Sequence, residues 1–425
     1  MLAAVTARQG TLFDLAPTRA SRLAEELRGF AGFGRPTVVE PVEASDGTFV
    51  VPGFRNEFWT SRQRAASSLH EVSYRACFKP ALPRFFIERA SAPGDVVHDP
   101  FLGRGTTAVE AALLGRVPVG SDVNPLSAVL TRPRFAPPKL AEVEERLAGL
   151  DLGGAGVELP EELLVFYHPE TLREICALRA WFLERDAAGA LDPVDAFVRM
   201  VAVNRLTGHS PGFFSVYSMP PNQAVTVKAQ QKINERRNQT PPRRDVRDLI
   251  VRKARSLLAD VDDDVRATLA QVAPHARILT APAAGTTELP DASVDLVVTS
   301  PPFLDVVQYA ADNWLRCWFC GIDPDEVEIT HARGLPAWED AMEQALTELH
   351  RVVRPDGHVA FEVGEVRGGA VQLERHVLTC ARNAGFDPAW VLIHDQEFTK
   401  TANCWGVANN ARGTNTNRVV LLRRG

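Results

Sequence analysis

Short apolar runs alternate with amphipathic stretches in the part of the chain that begins at Lys79. Residues 80–90 place apolar side chains at three- and four-residue spacing and predict a helix, and the Pro93-Gly94-Asp95 turn then feeds Val96-Val97-His98, a short buried strand. A glycine-containing turn, a helix from Thr106 to Leu114 and a second strand over Val117–Ser121 follow, ending at Asp122. This strand, turn, helix, strand order opens a parallel, doubly wound sheet. From about residue 136 to 275 the alternation stops. Ala141–Leu150, Glu162–Arg185 and Arg244–Ala270 repeat apolar residues at helical spacing with few strand signals between them. Strand patterning resumes at Ala276–Leu279 and Val294–Val298. A helix at Trp338–Val353, a strand at His358–Val363, a helix at Leu373–Asn383 and strands at Trp390–Ile393 and Arg418–Leu422 complete the pattern.

The predicted fold class is therefore α/β, a doubly wound sheet interrupted after its second strand by a mainly helical insertion. Four regions are expected: an N-terminal arm over 1–70, the first half of the sheet domain over 71–135, the insertion over 136–275 and the second half over 276–425. The arm holds one amphipathic stretch, Ser21–Phe30, among Pro- and Gly-punctuated segments, and little sheet is expected in it.

Composition changes this picture little. Of 425 residues 45% are hydrophobic and 24% charged, values of an ordinary globular chain large enough to bury a core without disulfides. The six cysteines are scattered, which fits a reducing cytoplasm. Only Cys317 and Cys320 have metal-ligand spacing. With no second pair nearby they read as a buried helix end, so no metal is expected. No apolar run is long enough to span a bilayer, and no membrane partner is expected.

Two motifs carry chemistry. The first, Asp99-Pro100-Phe101-Leu102-Gly103-Arg104-Gly105-Thr106-Thr107, lies at a strand–helix junction, where glycines let the backbone approach a ligand and a helix start offers unpaired N–H groups. Asp122, at the tip of the next strand, is placed to accept hydrogen bonds from ribose hydroxyls. The same turn also satisfies the loose glycine pattern of nicotinamide-dependent oxidoreductases. The second motif, Thr299-Ser300-Pro301-Pro302-Phe303, ends a buried strand. Two prolines remove two backbone donors, leaving a stiff ridge of acceptors: the Ser300 hydroxyl and the carbonyls of Ser300 and Pro301. Beside an aromatic plate at Phe303, that ridge suits an exocyclic amino group on a flat ring. The blander reading is a proline-rich strand exit. Open α/β sheets bind ligands at the carboxyl ends of their strands, where both motifs lie, and this favours the functional reading.

With both motifs in view, the chain resembles the S-adenosylmethionine-dependent DNA amino-methyltransferases of restriction-modification type. The first motif resembles that family's cofactor loop and the second its catalytic motif, while residues 74–83 resemble the segment that closes over the methionine end of the cofactor. The resemblance covers residues 70–130 and 276–365 and implies a Rossmann-like methyltransferase sheet. It implies S-adenosyl-L-methionine as cofactor, held by Phe78, Lys79, Asp99, Pro100, Phe101, Gly103, Gly105, Thr106, Thr107, Asp122 and Asn124. Double-stranded DNA is the implied substrate, with room for a cognate restriction endonuclease as partner. In this family Ser before Pro-Pro usually accompanies methylation of cytosine N4, and Asp or Asn that of adenine N6, so Ser300 points to cytosine with adenine as the alternative. The family often has Gly-Asp-Ala after the third strand; here Ala281-Pro282-Ala283 stands there.

The chemistry expected is direct, in-line transfer to a base flipped out of the duplex, with Ser300 and the Pro301 carbonyl accepting the amino protons and Phe303 holding the base. Methylation at cytosine C5 needs a Pro-Cys thiolate, and no cysteine here follows a proline. A non-catalytic DNA-binding protein would not need both motifs. RNA as substrate stays open, although no RNA-binding module is recognisable.

Net charge is −6, which taken as a total disfavours a nucleic-acid partner. From Thr226 to Arg255, however, ten basic residues stand against three acidic, a net of +7, so the rest of the chain sums to −13. This stretch follows His209–Ser218, a segment rich in hydrogen-bonding and aromatic groups. Lys228, Lys232, Arg236, Arg237, Arg243 and Arg244 are the expected DNA contacts, although a solvated helical face would look the same. Asp305, Tyr309 and Trp314 have the spacing of one helix near the base pocket, although a Tyr and a Trp there more often belong to the core, and Glu362 and Glu365 receive no role.

Overall fold

In the computed structural model the described residues are 18–59, 66–75, 77–153, 157–219, 223–302, 304, 309–327, 334–366, 371–395 and 416–425. The strands are β1 (Val38–Glu43), β2 (Val50–Asn56), β3 (Val96–Asp99), β4 (Val117–Asp122), β5 (Arg277–Thr280), β6 (Val294–Thr299), β7 (Val353–Val363), β8 (Glu365–Val366), β9 (Val371–Gln372), β10 (Asp387–Asp395) and β11 (Thr416–Arg423). All but β8 and β9, which form a separate ribbon, join one nine-stranded sheet of order β1-β2-β10-β11-β7-β6-β3-β4-β5. From β5 to β7 all pairs are parallel, while β11 runs antiparallel to both of its neighbours. Counted from β3, the first five strands lie in the order 3-2-1-4-5. This is doubly wound topology, with its switch point between β3 and β6.

The N-terminal region departs from expectation, since β1 and β2 extend the sheet. Prolines weakened their signal. Pro41 and Pro52 face each other across the β1–β2 pair. β1 is an edge strand, where a proline is tolerated, and pairing of β2 with β10 begins only at Gly53, just past Pro52. Gly53 itself lies so close to Val42 and the Glu40 backbone that a Cβ would collide.

Between β4 and β5 the described residues form helices and turns, with one isolated bridge between Gly208 and Tyr217. The expected helix over Arg244–Ala270 is two, Val246–Leu257 and Asp263–Val272. Asp262 caps the second by accepting from the Val265 N–H, and such local capping competes with continuing the first helix. The helix expected from Glu162 starts at Pro169, preceded by a 3-10 turn over Glu161–Val165. The helices Pro169–Ala187 and Val246–Leu257 share a core with the helix Tyr309–Cys320, through Phe166, Phe182, Phe197, Ile250, Leu315 and Phe319, whereas Asp263–Val272 packs Leu269 and Val272 with Ala108, Val109 and Ile278. Cys317 and Cys320 are buried in that core, and no metal-holding cluster occurs among the described residues. None of the helices among these residues is long and apolar enough to cross a membrane.

Two buried histidines give the sheet an acid-sensitive element. His98 in β3 and His358 in β7 are pushed down to about 4, chiefly by burial. Unfolding releases each imidazole to an ordinary value near ~6.5. The unfolded chain therefore takes up protons first, and each histidine's contribution is intact above pH ~6.5 and lost as pH falls toward 4, by up to roughly 3 kcal/mol. In urea titrations at pH 6.5 and 4.5, His358→Phe is expected to lose less stability on acidification than the parent chain. An equal loss would assign the acid response to other groups.

Candidate active site

The two motifs meet at the switch point. Thr299, the last residue of β6, donates from Oγ1 to Asp99 Oδ1 at 2.6 Å, and Thr107 Oγ1 donates to the Val298 carbonyl at 3.0 Å. The glycine loop and the Ser-Pro-Pro ridge are thus locked edge to edge.

Within the loop, Gly103 and Gly105 adopt φ of +51° and +76°. A Cβ on Gly105 would collide with Thr131, so the conformation and the space both require glycine there. Gly105 ends the loop as the N-cap of the helix Thr106–Leu113, with no side chain capping its first N–H groups. Asp122 receives the N–H groups of Gly103 at 2.8 Å and Asn124 at 2.9 Å, fixing the loop against the tip of β4. Asn124 accepts from the Leu126 N–H at 2.9 Å. Pro100 is buried and Phe101 half-buried, and the Phe101 N–H reaches Asp99 at 3.2 Å. Arg104 donates to the carbonyls of His70 and Val72, and the buried Tyr74 ring lies 3.6 Å from where a Gly103 Cβ would be. Residues 70–74 therefore line the loop, with Phe78 and Lys79 half-buried beyond them.

Burial pushes the Asp99 carboxyl up to about 7, against the lowering effect of its hydrogen bonds, and raises Asp122 as well. Neither carboxylate has a basic partner among the described residues. A buried acid and a half-buried one at adjacent strand tips favour a cationic ligand that also offers hydroxyl donors.

On the ridge, Pro301 is buried and Ser300 half-buried. The Trp338 indole N–H occupies the Pro302 carbonyl at 3.0 Å, and no hydrogen bond engages the Ser300 or Pro301 carbonyl among the described residues. Phe303 and Asp305 lie outside the described residues, as do the side chains of Tyr309 and Glu365. Trp314 packs against the insertion core and donates to the Val225 carbonyl at 3.3 Å.

Glu362 received no role from the pattern of the chain, and it proves to be a neighbour of Ser300. The Thr299–Phe361 register of β6 and β7 sets the next residues, Ser300 and Glu362, side by side. The Ser300 hydroxyl is near enough to the Glu362 carboxyl to favour its ionised form, and Glu362 Oε1 accepts from Asn417 Nδ2 at 2.8 Å. Burial holds Glu362 above the ordinary carboxylate range. The available signal was an acidic residue directly after the apolar run Val359–Phe361 near the carboxyl end of a strand.

The expected DNA contacts divide. Lys228, Lys232 and Arg236 are exposed at four-residue intervals on the helix Val227–Arg237, and no ion pair engages them among the described residues. Arg237 lies 3.8 Å over the Tyr217 ring. Arg243 is held by Glu170 and Glu174, and Arg244 is half-buried, with its N–H on Thr171 Oγ1 at 2.8 Å.

Residues 50–128 match the N6_N4_Mtase family model, described as DNA methylase. That stretch is similar to the DNA methylase family. The match includes β2, β3, the glycine loop and β4. A relative with a shared segment is the Type II methyltransferase M.MjaII of Methanocaldococcus jannaschii, 35% identical over 71 residues, 16% of this chain and 13% of that protein. The chain thus spans about an eighth of the length of this relative. Among solved structures, TrmN from Thermus thermophilus is 14% identical over 92% of this chain and 61% of its own, with a TM-score of 0.33. The rRNA methyltransferase aviRa from Streptomyces viridochromogenes is 14% identical over 86% and 94%, with a TM-score of 0.32.

Proposed function

We propose that the chain methylates the exocyclic N4 amino group of cytosine in double-stranded DNA. The observation that carries this reading is the contact between the glycine loop and the Ser-Pro-Pro ridge through Thr299 and Asp99. It sets a ligand cradle against a row of acceptors that fits an amino group.

S-adenosyl-L-methionine is the cofactor that fits the cradle. Its cationic end and ribose hydroxyls match the buried Asp99 and the half-buried Asp122, and the uncapped N–H groups of Thr106 and Thr107 offer further donors. Gly103, Gly105, Phe101 and Pro100 shape the cradle's floor, with Phe78, Lys79 and Asn124 at its margins. When bound, the cofactor supplies an electrophilic methyl group for direct transfer.

The chain's own residues prepare the nucleophile. An aromatic amine is a weak nucleophile because its lone pair is delocalised into the ring. Ser300 Oγ and the Pro301 carbonyl accept its protons, draw the nitrogen toward tetrahedral geometry and stabilise the positive charge that develops. The proton released then has an exit: Ser300 passes it to Glu362, whose raised affinity for protons suits an acceptor. Phe303 would hold the flipped base.

Serine at position 300, rather than an acid or amide, favours cytosine N4 over adenine N6, the second reading. Sequencing of DNA from cells expressing the protein, by a method that distinguishes N4-methylcytosine from N6-methyladenine, decides between the two bases. Absence of label in DNA after incubation with methyl-tritiated S-adenosylmethionine would remove both.

The insertion is proposed as the target-recognition region, with the helix Val227–Arg237 along the phosphates. Replacing Lys228, Lys232, Arg236 and Arg237 together by Ala is expected to flatten the dependence of DNA affinity on salt, by a slope of about 0.9 for each phosphate left without its cation. An unchanged slope in fluorescence-anisotropy titrations would place the phosphate track elsewhere. A cognate endonuclease would be a separate chain reading the same site.

A further inference from the structure

We propose that the loop closed by Gly208 and Tyr217 reads base edges and sets the recognition sequence, while the neighbouring helix only positions the backbone. This assignment rests on the DNA-methylating function proposed above.

The loop is anchored at both ends to the walls of the candidate active site. Just before it, Asn204 Oδ1 accepts from the Ser73 N–H at 2.8 Å, in the segment that lines the glycine loop. Just after it, the Ala224 N–H donates to the Asp312 carbonyl at 3.0 Å, in the helix that follows the catalytic motif. Asp312 is also bound through both carboxylate oxygens by Arg75, tying the same helix to the lining segment.

The loop is stiffened internally. The Ser218 N–H meets the Gly208 carbonyl at 2.9 Å, the Phe214 N–H meets the Arg205 carbonyl at 2.8 Å, and the Val216 N–H meets the Phe166 carbonyl at 2.8 Å. At its stem, Gln230 and Gln239 both donate to the Tyr217 carbonyl at 3.0 Å, joining it to the basic helix. At its tip, the Phe213 ring lies so close over Gly208 that a Cβ there would collide, and the Arg205 guanidinium covers the ring at 4.2 Å. Beyond that packed ring, His209 and Pro211 are exposed, with Ser210 half-buried between them.

A preorganised tip carrying an imidazole and a hydroxyl, beside an aromatic ring, is equipped to contact base edges. It adds no lysine or arginine to the phosphate track, because residues 208–217 contain none and Arg205 is spent on Phe213. A side chain reaching a base edge contributes discrimination, whereas a lysine on a phosphate contributes affinity without sequence preference. The two elements therefore divide the work of recognition in separable ways.

The experiment uses the full chain, S-adenosylmethionine and a duplex library with randomised positions. The parent protein is expected to methylate a restricted set of sequences. His209→Ala is expected to broaden that set at one or two positions, lowering discrimination there by about tenfold or more, with the salt slope unchanged. Gly208→Ala, which must displace Phe213, is expected to broaden it further. Lys232→Ala should weaken all sequences alike and leave the set intact. Competition between the methylated duplex and a scrambled one reads the same discrimination by binding, so a variant with lost turnover still reports. If His209→Ala and Gly208→Ala both retain the parent's sequence set and competition ratio, the loop is not the reader. If the parent methylates no duplex at all, the functional reading itself fails.

Discussion

Glu362→Gln is expected to lower the methylation rate constant by about 10²-fold or more at neutral pH while leaving cofactor affinity within a few-fold. The amide keeps the size of the side chain and an oxygen able to accept from Ser300 or Asn417, but it cannot take a proton. Burial raises the Glu362 carboxyl above its ordinary range, so in the parent protein turnover should rise with pH through that raised value as the acceptor ionises. The variant should lose this acid limb. Ser300→Ala removes the acceptor next to the amine as well, and about 10²–10³-fold is expected in kcat. Single-turnover measurements across pH, with cofactor binding followed separately by calorimetry, check both. Turnover of Glu362→Gln within twofold of the parent, with the acid limb intact, would leave Ser300 and solvent as the whole proton path.

Gly105→Ala is expected to destabilise the fold by about 2–5 kcal/mol. Holding a Cβ-bearing residue at a left-handed φ costs about 1–3 kcal/mol, and forcing the methyl against Thr131 costs a similar amount. That is a large share of the roughly 5–15 kcal/mol by which a domain is stable. The two parts are separable. Adding Thr131→Ala removes the Oγ1 and Cγ2 contacts but not the backbone strain, so the double variant should recover part of the loss. Urea denaturation of the two single variants and the double variant supplies the cycle. Full additivity would mean that the collision is relieved by backbone movement, and cofactor affinity should then fall because the loop has shifted.

Much of the sheet domain was legible along the chain because its signals are local. Leu373–Asn383 carries a strong amphipathic stripe, and its helix ends where the pattern ends. The strands β3, β4 and β6 are short apolar runs bounded by turn residues, and both motifs sit at their carboxyl ends. What stayed hidden depends on pairing across long separations. The Thr299–Asp99 bond spans 200 positions, and the role of Glu362 exists only because β7 lies beside β6 in a particular register. The β1–β2 extension was hidden for another reason: prolines and a glycine weaken strand signals, and only an edge position and a delayed pairing with β10 make them harmless. In the basic segment, charge density overstated the free positive surface, since Arg243, Arg252, Lys253 and Arg255 are paired with Glu174, Asp248, Glu71 and Glu144.

The insertion leaves the sheet after β4 and returns to it at β5, the strand that pairs with β4 in parallel. Its two ends are thus held on neighbouring strands whatever lies between them, and exchanging that stretch between homologues would not disturb the order of the sheet. The shared core restricts such an exchange. Leu315, Cys317 and Phe319 follow the catalytic motif in the chain, yet they are packed with the insertion. A transplanted insertion from a donor of different specificity would meet a helix face shaped for another partner, leaving voids in the core that the two segments share. A viable graft would therefore move residues 309–320 together with the insertion, as two pieces inherited as one.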